Sequence, residues 1–77
     1  MQTKFKRHEK VKLKINPDSE YIEYQPGFEN TQIKKGATGK INILLPNGQY
    51  HVEIINEKDE TIAYLPIDEE FLEEVKK

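Results

Sequence analysis

Residues able to do catalytic chemistry are few in this chain and far apart in the sequence. Its 77 residues include two histidines, His8 and His51, and a single serine, Ser19, but no cysteine. The lack of cysteine excludes a disulfide, a thiolate nucleophile and a zinc–thiolate site. Carboxylates are common, yet general acid–base catalysis needs a pair in a cleft with shifted pKa values, and most of these carboxylates belong to polar runs. The sequence therefore predicts a protein that is not an enzyme.

Two short patterns could still hold a ligand. His51 and Glu53 are two residues apart, so on a strand both would share one face and could bind a metal ion. Two ligands are too few for a committed site, and a solvated polar pair is the simpler interpretation. Gly36 and Gly39 lack the spacing of a phosphate-binding loop and instead fit a strand entry that needs positive φ or close backbone contact. We expect neither a metal nor a cofactor.

Charge is unevenly distributed along the chain. Residues 1–14 carry six basic side chains against Glu9, whereas residues 56–77 carry eight acidic side chains against three lysines. A basic track for RNA or DNA could be built from six lysines: Lys10, Lys12, Lys14, Lys34, Lys35 and Lys40. The alternative is that the two ends lie side by side and neutralise each other. The sequence pI of about 5.7 favours this second interpretation.

Apolar residues alternate with polar ones over much of the chain, which indicates β-strands that bury one face. Val11, Leu13 and Ile15 predict the first strand, and the prolines and acids of residues 16–35 predict a long irregular loop. Residues 61–65 predict a fourth strand that ends at a proline.

The pair Asn47-Gly48 predicts a hairpin between two further strands. We expect a two-residue turn, in which Leu45 faces Tyr50 and Ile43 faces Val52. A three-residue loop with Gly48 in a bulge, which would place Leu44 opposite Tyr50, is the alternative.

Residues 67–75 are compatible with a helix or with a short turn followed by a strand. The apolar spacing does not separate these two structures, but the shortness of the segment favours a turn at residues 68–70 and a final strand at 71–75. The predicted core contains the inward residues of the five strands: Val11, Leu13, Ile15, Ile41, Ile43, Tyr50, Val52, Ile54, Ala63, Leu65 and Leu72. One domain over residues 9–77, preceded by a basic extension at 1–8, follows from the length.

Over residues 9–75 the sequence resembles the SH3-like barrels. The resemblance is carried by residues 9–13, 33–41, 48–54, 64–66 and 71–72. The turn around Gly36 and Gly39 looks like that of the KOW-type barrels of ribosomal and transcription-factor proteins. The strand with Tyr50, Val52 and Ile54 is similar to small bacterial and archaeal barrels related to the nitrile hydratase beta subunit and the electron-transport accessory proteins. This resemblance implies an all-β, five-stranded barrel with a long first loop and a short helical turn before the last strand.

The long loop contains aromatic residues that point to a binding surface. In eukaryotic SH3 domains, aromatics of this loop, a proline before the last turn and an aromatic after it form a peptide groove. The matching residues here are Tyr21, Tyr24, Phe28, Pro66 and Phe71, although the chain lacks the tryptophan on which that groove depends. The alternative is that these aromatics fold the loop back over a thin core.

The sequence therefore predicts a non-catalytic binding or accessory module that contacts another protein through these five residues. The other possibility is a KOW-like RNA- or DNA-binding module that uses the lysines. The longest apolar run, residues 43–45, is far below the roughly 18 residues of a membrane span. We expect a cytoplasmic protein that does not bind membranes and that is a monomer or a weak homodimer.

Overall fold

Six strands form one antiparallel sheet in the structure, a computed structural model that describes residues 5–75. The strands are β1 Lys10–Leu13, β2 Glu23–Tyr24, β3 Thr38–Leu44, β4 Gln49–Ile55, β5 Thr61–Asp68 and β6 Leu72–Glu74. Their order across the sheet is β2-β5-β4-β3-β1-β6. Two 3-10 turns, Ser19–Tyr21 and Glu69–Phe71, are the helical segments of residues 5–75. The predicted all-β class is confirmed, with six strands where five were predicted, because two residues of the long loop pair with β5.

Within residues 5–75 no helix has the length and the apolar character needed to span a bilayer.

The lysine-rich strand β1 and the acidic strand β6 lie side by side, as the second interpretation of the charge pattern expects. In β1 the lysines are exposed while Val11 and Leu13 are buried. The last strand, β6, pairs with β1 and places Glu73 directly opposite Lys12. The preceding turn and the short final strand also confirm the prediction for residues 67–75.

The predicted register of the β3–β4 hairpin is wrong. Leu44, not Leu45, faces Tyr50. The Gly48 N–H donates to the Leu45 carbonyl at 3.0 Å and the Leu45 N–H to the Gln49 carbonyl at 2.7 Å, which closes a three-residue loop. A two-residue turn of the predicted kind needs positive φ at both central residues, and here Gly48 alone has it, at 90°. The fixed φ of Pro46 instead suits the first central position of a type I turn.

A β-bulge at Asn42 restores the burial of Ile41. With the three-residue loop alone, Asn42 and not Ile41 would face Val52. The register shifts between Ile41 and Ile43, so that Ile41 faces Val52 and Ile43 faces His51. Ile41 is consequently buried, whereas Ile43 is 45% exposed. The prediction that Ile43 belongs to the core is therefore wrong, because the extra residue of the bulge turns it to the outer face.

The fourth predicted strand does not end at Pro66. β5 continues to Asp68, and Pro66 faces His51 in the ladder with β4. On the other side of β5, the short strand β2 pairs with Ala63 and Tyr64 and does not reach Pro66. A proline is tolerated where no neighbouring strand needs its missing N–H.

Gly36, just before β3, and Gly39, within it, show the positive φ and the close contact that the sequence predicts for this strand entry. Gly36 has a φ of 93°, in the left-handed region. A Cβ on Gly39 would lie 2.6 Å from the Val52 side chain, closer than atoms can pack. The backbone geometry at the start of β3 therefore needs glycine at both positions.

Nine of the predicted core residues are buried, while Ile15 is only partly buried and packs against the core from outside. Five buried residues were missed: Phe5, Ile33, Ile55, Ile62 and Ile67. The Phe5 ring meets the Tyr50 ring edge-on at a centroid distance of 5.7 Å, and its N–H donates to the Tyr50 hydroxyl at 3.2 Å. The basic segment before residue 9 thus contributes a side chain to the core.

Candidate functional site

A small cleft lies between the long first loop and the segment that connects β5 to β6. The loop contributes Tyr21 and the other wall contributes Pro66 and Phe71. We call it the aromatic cleft. It measures about 140 Å³, whereas pockets for small molecules are typically about 300 to 1,000 Å³. The cleft therefore has room for a side chain of a partner and not for a substrate of ordinary size.

Tyr21 owes its place in the cleft to the first 3-10 turn. The Asp18 side chain begins this turn by accepting a hydrogen bond from the Glu20 N–H at 3.0 Å, and the Asp18 carbonyl accepts one from the Tyr21 N–H at 3.1 Å. The turn holds the Tyr21 ring away from the core, and the residue is 62% exposed. Few large apolar side chains of residues 5–75 are so exposed.

The opposite wall is anchored to the sheet. Pro66 belongs to β5, and Phe71 ends the second 3-10 turn. The Lys14 N–H donates to the Phe71 carbonyl at 2.8 Å, which fastens this turn to the end of β1. Phe71 is half-buried. It packs against the core and also lines the cleft.

The structure does not bring all five predicted aromatic-site residues together. Tyr21, Pro66 and Phe71 share the cleft, but Tyr24 lies in β2 opposite Ala63 and packs against the core. Phe28 also packs against the core and lines a different groove, beside Ile55. Both side chains are partly buried against the core, which is the arrangement that the alternative interpretation expects.

Most of the residues that line the cleft were not predicted as part of a site. Ile15 and Pro17 are two of them, on the side of the long loop. Ile15 was assigned to the core because it continues the alternation of β1, and Pro17 was taken only as a sign of a loop. Ile15 lies two residues after Leu13, the last residue of β1, and the alternation alone does not mark where that strand ends.

The charged groups at the cleft are acidic. Asp18 and Asp68 line it, one on each wall, and the lining residues include no lysine or arginine. Neither His8 nor His51 lines the cleft. This arrangement offers apolar contact and negative charge to a partner.

The six candidate lysines occupy two separate places. Lys10 lies directly opposite Lys40 across β1 and β3, while Lys12 faces Glu73 across β1 and β6. The Lys40 ammonium pairs with the Asp59 carboxylate at 3.3 Å. Lys14 follows β1 and is exposed. Lys34 and Lys35 are exposed in the loop before β3, where the Lys35 N–H donates to the Asn16 side chain at 2.8 Å.

His51 and Glu53 share the outer face of β4 but bind different neighbours. Nδ1 of His51 lies 3.0 Å from Nδ2 of Asn42, and its ring stacks on Tyr64 at 5.3 Å. The Glu53 carboxylate accepts a hydrogen bond from the Thr61 hydroxyl at 2.8 Å. Among residues 5–75 no group of three histidine, aspartate or glutamate side chains is placed to hold a metal ion.

Similarity to other proteins adds no further information about the site. Comparisons of the chain with protein-family models, with curated proteins and with solved structures found no match. The function of this chain is therefore inferred from its own sequence and structure.

Proposed function

We propose that this chain is a non-catalytic binding module that contacts another protein through the aromatic cleft. The observation that carries the proposal is the exposed Tyr21 ring standing beside Pro66 and Phe71 on a concave surface. Tyrosine is enriched at protein interfaces because its large ring can be buried at a small cost in conformational entropy. The cytoplasm stays the predicted compartment, and fractionation of cells that express the chain would test it.

We further propose that the sheet is an SH3-like barrel. Three features support this: β6 returns to pair with β1, a 3-10 turn precedes β6, and the long loop places β2 beside β5. The bulge at Asn42 favours closure as well, since a bulge bends its strand. An experimental structure in which β3 contributes to two sheets packed face to face would agree with this proposal, and a flat open sheet would contradict it.

Site-specific photo-crosslinking in cells that express the chain tests the proposed contact. A benzophenone amino acid at position 21 should yield an adduct with a discrete protein, because it replaces one exposed aromatic ring by another. The matched control carries the same group at position 57, where Glu57 is exposed in the turn between β4 and β5. Equal adducts at both positions, or none at position 21, would overturn the proposal.

A second candidate function is RNA or DNA binding by the lysines of β1 and β3. It is favoured by the direct opposition of Lys10 and Lys40, which concentrates positive charge at one point of the sheet. Opposing it, Glu73 faces Lys12 and Asp59 pairs with Lys40.

An amide-resolved NMR titration with single- and double-stranded RNA and DNA distinguishes the two functions. Nucleic-acid binding should shift the amides of Lys10, Lys12 and Lys14 and should fade as salt rises from low to moderate concentration. No shift with any of the four nucleic acids would remove this candidate and leave the aromatic cleft.

A further inference from the structure

The end of β3 presents a second exposed apolar surface. Ile43 is 45% exposed and the neighbouring Leu44 is 44% exposed. Together with Phe5, Lys6, Arg7 and Tyr50 they line a groove, which we call the β3-edge groove. It shares no lining residue with the aromatic cleft.

The backbone of β3 is open along this groove. The pairing with β1 covers Thr38–Lys40, and two more hydrogen bonds, from the Ile41 N–H to Glu9 at 2.9 Å and from the His8 N–H to Ile41 at 2.7 Å, extend it. Within residues 5–75 no backbone hydrogen bond continues this ladder along residues 42–44. Unpaired backbone groups at the edge of a sheet can accept another strand.

A tight turn explains why the chain's own segment leaves the edge at this point. The Glu9 N–H donates to the Lys6 carbonyl at 3.1 Å, and the Glu9 side chain accepts a hydrogen bond from the Lys6 N–H at 3.0 Å. His8 completes the turn with a φ of 71°, in the left-handed region. The turn carries the chain away from the direction of β1, so Phe5 enters the core and no strand of residues 5–75 pairs with this edge beyond Ile41.

The charged side chains that line the groove are basic. Its lining includes Lys6 and Arg7, both exposed, and no carboxylate, although the chain as a whole has a net charge of -2. The two carboxylates bonded to lining residues, Glu9 and Glu69, bind the Lys6 N–H and the Tyr50 hydroxyl and do not line the groove. Positive charge beside exposed apolar groups fits a partner that carries negative charge and apolar side chains.

We propose that the β3-edge groove is a second docking surface, which receives an extended segment of another protein in which apolar and acidic residues alternate. The segment adds to β3 as a further strand, with main-chain hydrogen bonds to residues 42–44. Its apolar side chains contact the apolar lining of the groove, and its carboxylates pair with Lys6 and Arg7. This surface acts independently of the aromatic cleft and would let the chain connect two partners.

An NMR titration of the full chain with a synthetic peptide tests this assignment. The probe is a six-residue peptide that alternates valine and glutamate, and the control peptide has lysine in place of each glutamate. The first peptide should shift the amides of Ile43 and Leu44 and slow their hydrogen exchange, with weaker binding at higher salt. No perturbation at these amides, or equal perturbation by both peptides, would overturn the proposal.

Variants separate the contributions of charge and apolar contact. Arg7→Glu combined with Lys6→Glu should weaken binding of the valine–glutamate peptide at least about tenfold. The matched control Lys58→Glu, at an exposed position of the β4–β5 turn, should leave it unchanged. Leu44→Ser should abolish the shifts while the rest of the amide spectrum stays that of the folded chain, because Leu44 is already half exposed. Unchanged binding in both the charge variant and Leu44→Ser would contradict the proposal.

Two other occupants are distinguished by separate measurements. Sedimentation of the chain at increasing concentration would reveal association of two copies, and loss of that association in Leu44→Ser would assign the groove to a second copy. Vesicles of phosphatidylglycerol that shift Ile43 and Leu44, where neutral phosphatidylcholine vesicles do not, would assign it to an anionic membrane. Either result, combined with no binding of the peptide, overturns the assignment to a protein segment.

Discussion

Tyr21 and Tyr24 lie three residues apart in the long first loop and have opposite surroundings. Tyr21 ends a 3-10 turn and is 62% exposed at the aromatic cleft, whereas Tyr24 belongs to β2 and packs against the core. The difference follows from backbone pairing, because β2 is hydrogen-bonded to β5, whereas the hydrogen bonds of the 3-10 turn join residues between Asp18 and Ile22. The same residue type thus serves the fold in one half of the loop and remains available to a partner in the other.

The largest effect on stability should come from Phe28, which lies in the half of the loop that packs on the core. We expect Phe28→Ala to lower the free energy of unfolding by about 2 to 3 kcal/mol, because a partly buried aromatic ring would be replaced by a cavity. Urea denaturation measures this change. Phe28→Leu, which keeps most of the apolar volume, is the control and should recover more than half of the loss. An unchanged midpoint in Phe28→Ala would show that this half of the loop does not hold the fold.

Tyr24→Ala should have the next largest effect, about 1 to 2 kcal/mol, since Tyr24 is partly buried beside Ala63. Tyr24→Phe keeps the ring and should remain close to the original stability by the same measurement. Hydrogen exchange of the β5 amides should rise in Tyr24→Ala, because loosening of β2 exposes that edge of the sheet. If Tyr24→Ala instead removed the photo-crosslink from position 21 without destabilising the chain, Tyr24 would belong to the binding surface.

A smaller loss is expected at Asp18, whose side chain begins the turn that presents Tyr21. Asp18→Ala should cost about 0.5 to 1 kcal/mol, because the Glu20 N–H loses its acceptor. Asp18→Asn retains an oxygen acceptor and should restore most of this stability in thermal unfolding. The yield of the position-21 photo-crosslink should fall in Asp18→Ala and recover in Asp18→Asn. A yield that falls equally in both would assign Asp18 a role through its charge.

Tyr21→Ala should have the smallest effect on stability, within about 0.5 kcal/mol, because the side chain is exposed. Its effect on function should be large. We expect Tyr21→Ala to lose the partner protein that the original chain captures when the crosslinker is at position 21. A benzophenone at position 17, beside the same cleft, provides the readout in this variant. Tyr21→Phe should keep the adduct, since the ring and not the hydroxyl fills the interface. Destabilisation by more than about 1 kcal/mol in Tyr21→Ala would place Tyr21 with Tyr24 in the fold.

Much of the fold could be predicted because its signals are local. The alternation around Val11 and Leu13 identified β1, and the charges of the two ends correctly predicted that β6 lies beside β1. The errors arose where a distant partner decides the geometry. The bulge at Asn42 changes the face of Ile43 without any mark in the surrounding sequence, and Phe5 is a lone aromatic in a basic segment with no periodicity to reveal its burial.

The candidate site was predictable in residue type but only partly in position. Aromatic residues in a loop indicated either an interface or a small additional core, and the structure leaves Tyr21 exposed at the cleft while Phe28 packs against the core. Ile15 was assigned to the core on alternation alone, although it lines the cleft. The sequence could not tell the exposed residues from the buried ones, because the burial of each side chain depends on which strand passes behind it.

By itself, the amino-acid sequence determined that this chain forms strands and that a hairpin turns at Asn47-Gly48, and its charges favoured a lysine-rich strand beside an acidic one. These properties depend on residues close together along the chain or on the sum of their charges. The tertiary structure alone decided that β2 joins β5, that β3 carries a bulge, and that Tyr21 faces outward. The reason is that the pairing of two strands fixes every side chain on them to one face or the other. The partner strand can be distant in the sequence, as Tyr64 is 41 residues away from Glu23.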